Sequence, residues 1–512
     1  MVSESNGEVP RFEDSLPSRE DVSSVFREDA GGGGGAAPVN STADQSPQAA
    51  SSIEDALKSV AATLEAELPD EAPPSEDPSQ PLGDDLEDDS RYPRQPRTVS
   101  EVGLSKAFLT DLTLKIMHYS GTPSAGQLMR RLGLGGNLVQ QIIDVLQEER
   151  LCEVLSQSDL YTGNYRYRLS ERGTSRAMEA LERTRYAGAV PVTAEQYAEV
   201  IREQQTRRQT TSRDQITAIL QDMVLAPETS DAIARALHSG KTTLMYGPSG
   251  NGKTWIMERY SRALDGLALV PYAIYAYGQV IRVFDPSIHE PIEELDDANI
   301  TKDSNRDRRW VLIKQPAVFL GSQLGSESLD LAYDPQARFY QAPPHVKAQG
   351  GALVVDDLGR QKSSPGELMA RWLIPMERGW DSLSLNTGEK LSVPFDVQLL
   401  FGTNQPINQL VDEAMLRRIL YKVEMPNPGP DEFAEILRRL CDQRNVQTPG
   451  GAVQRVVERL YGQPDESPRA AYARDLLEIV VEGAAYDGQE PVLDEDSFER
   501  AYRLFRSQRQ GA

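Results

Sequence analysis

The chain has few of the residues that build metal and redox sites. It contains two cysteines, Cys152 and Cys441, far apart, and four histidines, His118, His238, His289 and His345, at no ligand spacing. That excludes a disulfide framework and a Cys/His zinc site, and it offers no catalytic triad. Sparse cysteine fits a reducing, cytoplasmic setting. No run of about eighteen apolar residues occurs, so no membrane-spanning helix is expected. The opening residues MVSESNGEVPRFEDS lack the basic start and apolar stretch of a signal peptide. Acidic residues outnumber basic ones, 78 to 54. The net charge of −24 argues against nucleic acid as the main partner.

That charge is concentrated. Residues 1–100 hold 22 Asp and Glu against 7 Lys and Arg, and the rest is close to ordinary. Residues 1–98 read as a disordered acidic tail, with GGGGG at 31–35, EAPPSEDPSQP and DDLEDD at 84–89. Within it, SIEDALKSVAATLEAEL at 52–68 has helical spacing and reads as a marginal solvated helix or a docking motif.

Residues 104–186 are predicted to form a compact α+β domain. LSKAFLTDLTLKIMHYS has helical periodicity, Ser124 is placed to cap a second helix, and NLVQQIIDVLQEERL is amphipathic. CEVLS and YRYRLS then alternate as strands around the turn-rich QSDLYTGN, and ERGTSRAMEALER closes the unit. The pattern resembles a winged helix. Its reading-helix positions 136–149 carry Asp144, Glu148 and Glu149 and no Lys or Arg, and residues 101–190 hold 11 basic and 10 acidic residues. Duplex binding draws on Lys and Arg placed against phosphates, so a protein-docking role is expected ahead of DNA contact through Arg130, Arg131, Arg166 and Arg168.

Residues 187–222 read as a helical linker, 223–427 as an α/β domain with a parallel sheet, and 428–512 as a small helical bundle. The first chemical signal is KTTLMYGPSGNGKTWIMERY. An apolar run, Thr243–Tyr246, leads into Gly247, Pro248, Ser249, Gly250, Asn251, Gly252, Lys253 and Thr254, followed by an amphipathic segment. This is the strand–loop–helix setting of a phosphate-binding loop, whose backbone N–H groups cradle a polyphosphate at a helix start. Lys253 is expected on the β/γ-phosphates and the Thr254 hydroxyl on Mg²⁺. The second signal is GGALVVDDLGR. Its buried-strand run ends on Asp356 and Asp357, one carboxylate to hold the metal and the next to activate water. VQLLFGTNQ is a further buried strand ending on Asn404. Before it, SLSL and KLSV flank a tight Asn386-Thr-Gly388 turn and are predicted as a hairpin. VDEAMLRRI places Arg417 and Arg418 after that strand, and SPRAAYARDLLEIVV places Arg469 and Arg474 in the bundle.

These elements, in this order over about residues 213–500, resemble the AAA+ ATPases, and the helix–hairpin–strand arrangement resembles the MoxR-like branch. The resemblance implies ATP and Mg²⁺ as ligands and Asn404 as the residue that orients the lytic water. It also implies Arg417, or alternatively Arg418, as a finger into a neighbouring subunit, hence a ring-like oligomer. Arg474, or alternatively Arg469, becomes the arginine of the helical lid. Asp357 departs from the family's usual Glu by one methylene. The implied function is ATP hydrolysis coupled to remodelling of a protein client; the alternatives are a DNA-associated ATPase using the winged helix and a non-hydrolysing nucleotide switch. YAIYAYGQVIRVF is expected as a two-stranded insertion turning at Gly278. Phe339 and Tyr340 are read as packing residues ahead of pore-loop aromatics.

Overall fold

The structure, a computed structural model, describes residues 91–155, 165–208, 210–292, 305–410, 412–462 and 467–510. The acidic tail up to residue 90, with the helix expected at 52–68, lies outside the described residues. Residues 91–98, expected as part of the tail, are among those described. Gln95 N–H donates to Asn305 O and Pro93 O accepts from Asp307 N–H, both at 2.8 Å. A proline-rich stretch without apolar periodicity is thus held through its backbone.

The first unit comprises helices α1 (Lys106–Ser120), α2 (Ala125–Leu132) and α3 (Gly136–Glu148), strands β1 (Cys152–Leu155) and β2 (Arg166–Leu169), and helix α4 (Glu171–Arg183). Ser124 caps α2 in a capping box with Gln127, as its position in the sequence suggests. β1 and β2 pair antiparallel, and Leu112, Ile116, Leu138, Ile143 and Leu146 close the core.

β3 (Val192–Thr193), α5 (Ala194–Arg207), α6 (Arg213–Leu220) and α7 (Pro227–His238) come after it in the chain. The linker is helical, but it is no spacer: Val192 pairs with Ile274, and Tyr197 and Ile201 are buried. Next come β4 (Thr243–Tyr246), α8 (Lys253–Arg262), β5 (Leu267–Pro271), β6 (Ala273–Ala276), β7 (Gln279–Arg282), β8 (Trp310–Lys314) and β9 (Ala317–Leu320). Then come β10 (Ala332–Asp334), β11 (Phe339–Gln341), β12 (Ala352–Val355), α9 (Pro365–Arg378), β13 (Trp380–Ser384), β14 (Lys390–Pro394) and β15 (Gln398–Thr403). The chain continues through α10 (Glu413–Leu416) and β16 (Tyr421–Glu424) to helices α11 (Pro430–Gln443), α12 (Ala452–Tyr461), α13 (Ala470–Tyr486) and α14 (Glu495–Gln510).

The centre is a five-stranded parallel sheet in the order β16-β4-β15-β12-β9. Its inner strands are continuous apolar runs because both faces are covered. Leu244, Leu353, Leu399 and Phe401 meet Leu368 and Trp372 of α9 on one face. Met245, Val354, Leu400 and Val423 meet Ile233 of α7 and Ile256 and Met257 of α8 on the other. β13 and β14 form the expected hairpin. β6 and β7 form the expected two-stranded insertion, its turn made by Tyr277 and Gly278 at positive φ. They sit inside a larger sheet, β10-β11-β7-β6-β3, in which Phe339 and Tyr340 are buried packing residues. Helices α11–α14 enclose a separate core around Phe433, Leu460, Leu476 and Tyr502. No helix among the described residues is long and apolar enough to cross a membrane.

Candidate functional site

Sheet order decides what meets at its edge. β15 lies between β4 and β12, with Thr403 opposite Tyr246 and Phe401 opposite Val355. The chain leaves these strands through Gly247, Asn404 and Asp356, so one sheet edge gathers the loop, the amide and the carboxylates. Ligands of open α/β sheets bind at such carboxyl ends.

The loop needs its glycines. Gly247 has φ of +133°, and a Cβ there would run into the Met425 carbonyl; Gly250 has φ of +87° and would lie 2.8 Å from Ala471 Cβ. Lys253 opens α8 and is 6% exposed. Its Nζ donates to Gly247 O and Pro248 O, both at 2.8 Å. Burial lowers the Lys253 pKa, while the neighbouring Asp356 and Asp357 carboxylates oppose that shift.

Thr254 Oγ1 donates to Asp356 Oδ2 at 2.7 Å. A hydroxyl and a carboxylate from two separate elements thus present adjacent hard oxygens, the donor set that suits Mg²⁺ together with phosphate and water. Asp357 sits at φ of +49°, and its N–H donates to Asp356 Oδ1 at 2.9 Å. Gln361 braces the turn from below, donating through Nε2 to Asp356 O at 2.8 Å and accepting from Gly359 N–H.

Two cavities flank the loop. One, of about 560 Å³, runs between the loop and the bundle, lined by Met223, Lys253, Thr254, Asp357, Ile436 and Arg474 among others. Its mixture of apolar walls and a few polar groups suits a nucleotide. The other, of about 870 Å³, is lined by Gly247, Ser249, Arg360, Asn404, Glu424 and Arg469. The structure therefore brings Lys253, Thr254, Asp356 and Asp357 together beside the cavity that Arg474 lines, and puts Asn404, at the same sheet edge, on the other cavity with Arg469. Arg417 and Arg418 line neither cavity. Arg417 pairs with Glu413 at 2.6 Å on the surface, and Arg418 pairs with Glu377 at 3.3 Å. No cluster of metal-ligating side chains occurs among the described residues, and Lys253, His289 and His345 are buried apart.

Sequence reasoning passed over Arg360, Gln361, the bonding role of Asn251, and Gly402. Only Gly402 left a signal, as a glycine inside a buried strand. A Cβ there would lie 2.7 Å from Asp356 Oδ1 and 2.6 Å from Met257 Cε. Gly402→Ala is therefore expected to turn the Asp356 carboxylate off the Thr254 hydroxyl and to cost about 1–3 kcal/mol by overpacking. Thermal unfolding, with a Mg²⁺ titration of ATP affinity, checks both; an unchanged Mg²⁺ requirement would show that Asp356 has room to spare.

A family model described as a domain of unknown function (DUF8689) matches residues 429–504, the span of α11–α14. No curated protein matches the chain. Among solved structures, the chain is similar to NtrX from Brucella abortus in complex with ADP, at 13% identity and a TM-score of 0.33, over 64% of this chain and 65% of that one. It is also similar to the Thermotoga maritima RuvB Holliday junction branch migration motor, at 12% identity and a TM-score of 0.32, over 55% of this chain and 70% of that one. A further NtrX structure aligns over 60% of its length, less than two thirds.

Proposed function

We propose that the chain is an AAA+ ATPase that hydrolyses Mg·ATP to remodel a protein partner. The observation that carries this is the meeting, at one edge of a parallel sheet, of a phosphate-binding loop, the Thr254–Asp356 pair and Asn404. The polyphosphate lies along the loop N–H groups and the start of α8, with Lys253 as its point charge. Thr254 and Asp356 would hold Mg²⁺, which would supply positive charge to offset that developing on the phosphate. Asp357 takes the proton of the attacking water, and Asn404 orients that water in line with the terminal phosphate. Arg474 faces the nucleotide from the lid.

The exposed positions of Arg417 and Arg418 suit a finger offered to a second copy. Ile374 and Leu420 are exposed within a few residues of the Arg418–Glu377 pair. A copy docking on this face would bury them and deliver an arginine to the neighbour's terminal phosphate. Turnover per subunit should therefore rise with protein concentration. A flat response from nanomolar to micromolar protein removes the trans-acting arginine.

The unit formed by α1–α4 and the β1–β2 hairpin is read as a winged helix that docks protein. Its helix α3 exposes Gln140, Gln141, Asp144 and Glu148, with Gln140 bonded to Asp144 at 2.8 Å. That face offers a phosphate backbone no cation.

A further inference from the structure

We infer that Asn251 is a positioning residue that couples the phosphate loop to the C-terminal helices, so that occupancy of the loop sets the position of α13. This rests on the ATPase reading above and extends it to the side chain of a loop residue to which only a backbone role has been given.

Asn251 stands between two loop glycines and is 4% exposed, its side chain bonded to neighbouring segments through both its nitrogen and its oxygen. Its Nδ2 lies within hydrogen-bond distance of three acceptors: Met425 O at 3.3 Å, Pro426 O at 3.0 Å and Asn427 Oδ1 at 2.9 Å. Those residues are the connection from the sheet to the bundle. Its Oδ1 accepts from Ala470 N–H at 3.1 Å, and the adjacent Gly250 O accepts from Ala471 N–H at 2.9 Å. Ala470 and Ala471 are the first residues of α13, whose N–H groups have no partner within the helix. They find one in the loop instead. A second branch runs outward, Asn427 Nδ2 donating to Ser467 Oγ at 2.8 Å.

A buried amide bonded on both its donor and acceptor sides is costly to leave unpaired, so the three segments shift together. The moving part is identifiable. Lys253 Nζ donates to Gly247 O and Pro248 O. An incoming polyphosphate competes for that ammonium, and those peptide groups must give it up. Any resulting change in the loop is passed through Gly250 and Asn251 to the start of α13. Arg469 and Arg474 lie at that start, one at each cavity, so both arginines move with it.

Two variants of the full chain test this, Asn251→Ala and Asn427→Ala; the second lies outside the loop. The readouts are affinity for Mg·ATPγS, steady-state kcat and KM, and hydrogen exchange over residues 467–474 with and without nucleotide. Both variants are expected to bind Mg·ATPγS within several-fold of wild type and to lose the nucleotide-dependent change in exchange. Their kcat should fall about tenfold with KM nearly unchanged, a coupling within the usual allosteric range. Asn251→Asp keeps the acceptor for Ala470 and loses the Nδ2 donor, and should fall in between. The inference is overturned if Asn251→Ala keeps the exchange response, or if it loses nucleotide as completely as Lys253→Ala while Asn427→Ala behaves as wild type. A wild-type chain that binds no nucleotide would instead defeat the ATPase reading itself, before either variant is compared.

Discussion

Replacing Lys253 by alanine should lower ATP turnover by about 10²–10³-fold, the range seen when one preorganised electrostatic contact to a transition state is removed. The ammonium belongs to the first residue of α8, and it faces Asp356 and Asp357 across the loop. Alanine leaves those two carboxylates beside the phosphates without the charge that offsets them. It also frees the Gly247 and Pro248 carbonyls that Lys253 holds, so the loop loses a brace as well as a charge. Arginine is not a substitute here. Its planar guanidinium is broader than the ammonium and would not fit a site that leaves the lysine 6% exposed. Lys253→Arg should therefore be nearly as slow as Lys253→Ala. Phosphate release and calorimetric binding of Mg·ATP check both, and turnover within a few-fold of wild type in Lys253→Ala would sink the assignment of this loop.

The candidate site was legible where its signal is local. The phosphate-binding loop needs glycine, lysine and threonine at fixed offsets after a strand, and all of them lie within a dozen residues. The carboxylates were legible because an apolar run such as Ala352–Val355 must end somewhere, and the residues just past its end stand at the sheet edge. Helices α1–α3 showed in their 3.6-residue period. The larger insertion sheet did not show, because its pairings join distant stretches: Val192 to Ile274, and Tyr340 to Ile281. Short strands such as β3 and β10 carry too few residues to display a period. Tyr340 illustrates the cost. As a sequence letter it is an aromatic of ambiguous purpose; in the fold it is 2% exposed and accepts from Asn386 N–H at 2.9 Å, fixing the β13–β14 hairpin. Asn251 was illegible for the same reason, since its partners at 425–427 and 470 are set by tertiary structure.

On the proposed ATPase function, Asp357 is the residue expected to decide whether ATP is hydrolysed or only held. Asp357→Asn should keep Mg·ATP affinity, because Asp356 and Thr254 hold the metal, and should lose about 10²–10⁴-fold in turnover with the general base removed. Asp357→Glu sets two effects against each other. The added methylene carries the carboxylate further toward the terminal phosphate and the water in front of it. Yet the backbone at 357 is left-handed, with φ of +49°, a conformation that aspartate tolerates better than residues with longer side chains. The Asp357 N–H bond to Asp356 Oδ1 holds that conformation in place, so a glutamate must accept it or break the bond. The strain outweighs a methylene's gain in reach if the turn is rigid, and the bracing by Gln361 of both the Asp356 and Asp357 carbonyls, at 2.8 and 3.2 Å, makes it so. Asp357→Glu should accordingly turn over no faster than wild type and melt lower. Single-turnover hydrolysis by the two variants beside the wild type settles the point: Asp357→Asn as fast as wild type removes Asp357 from the chemistry, and Asp357→Glu tenfold faster would make the natural chain a slow nucleotide switch.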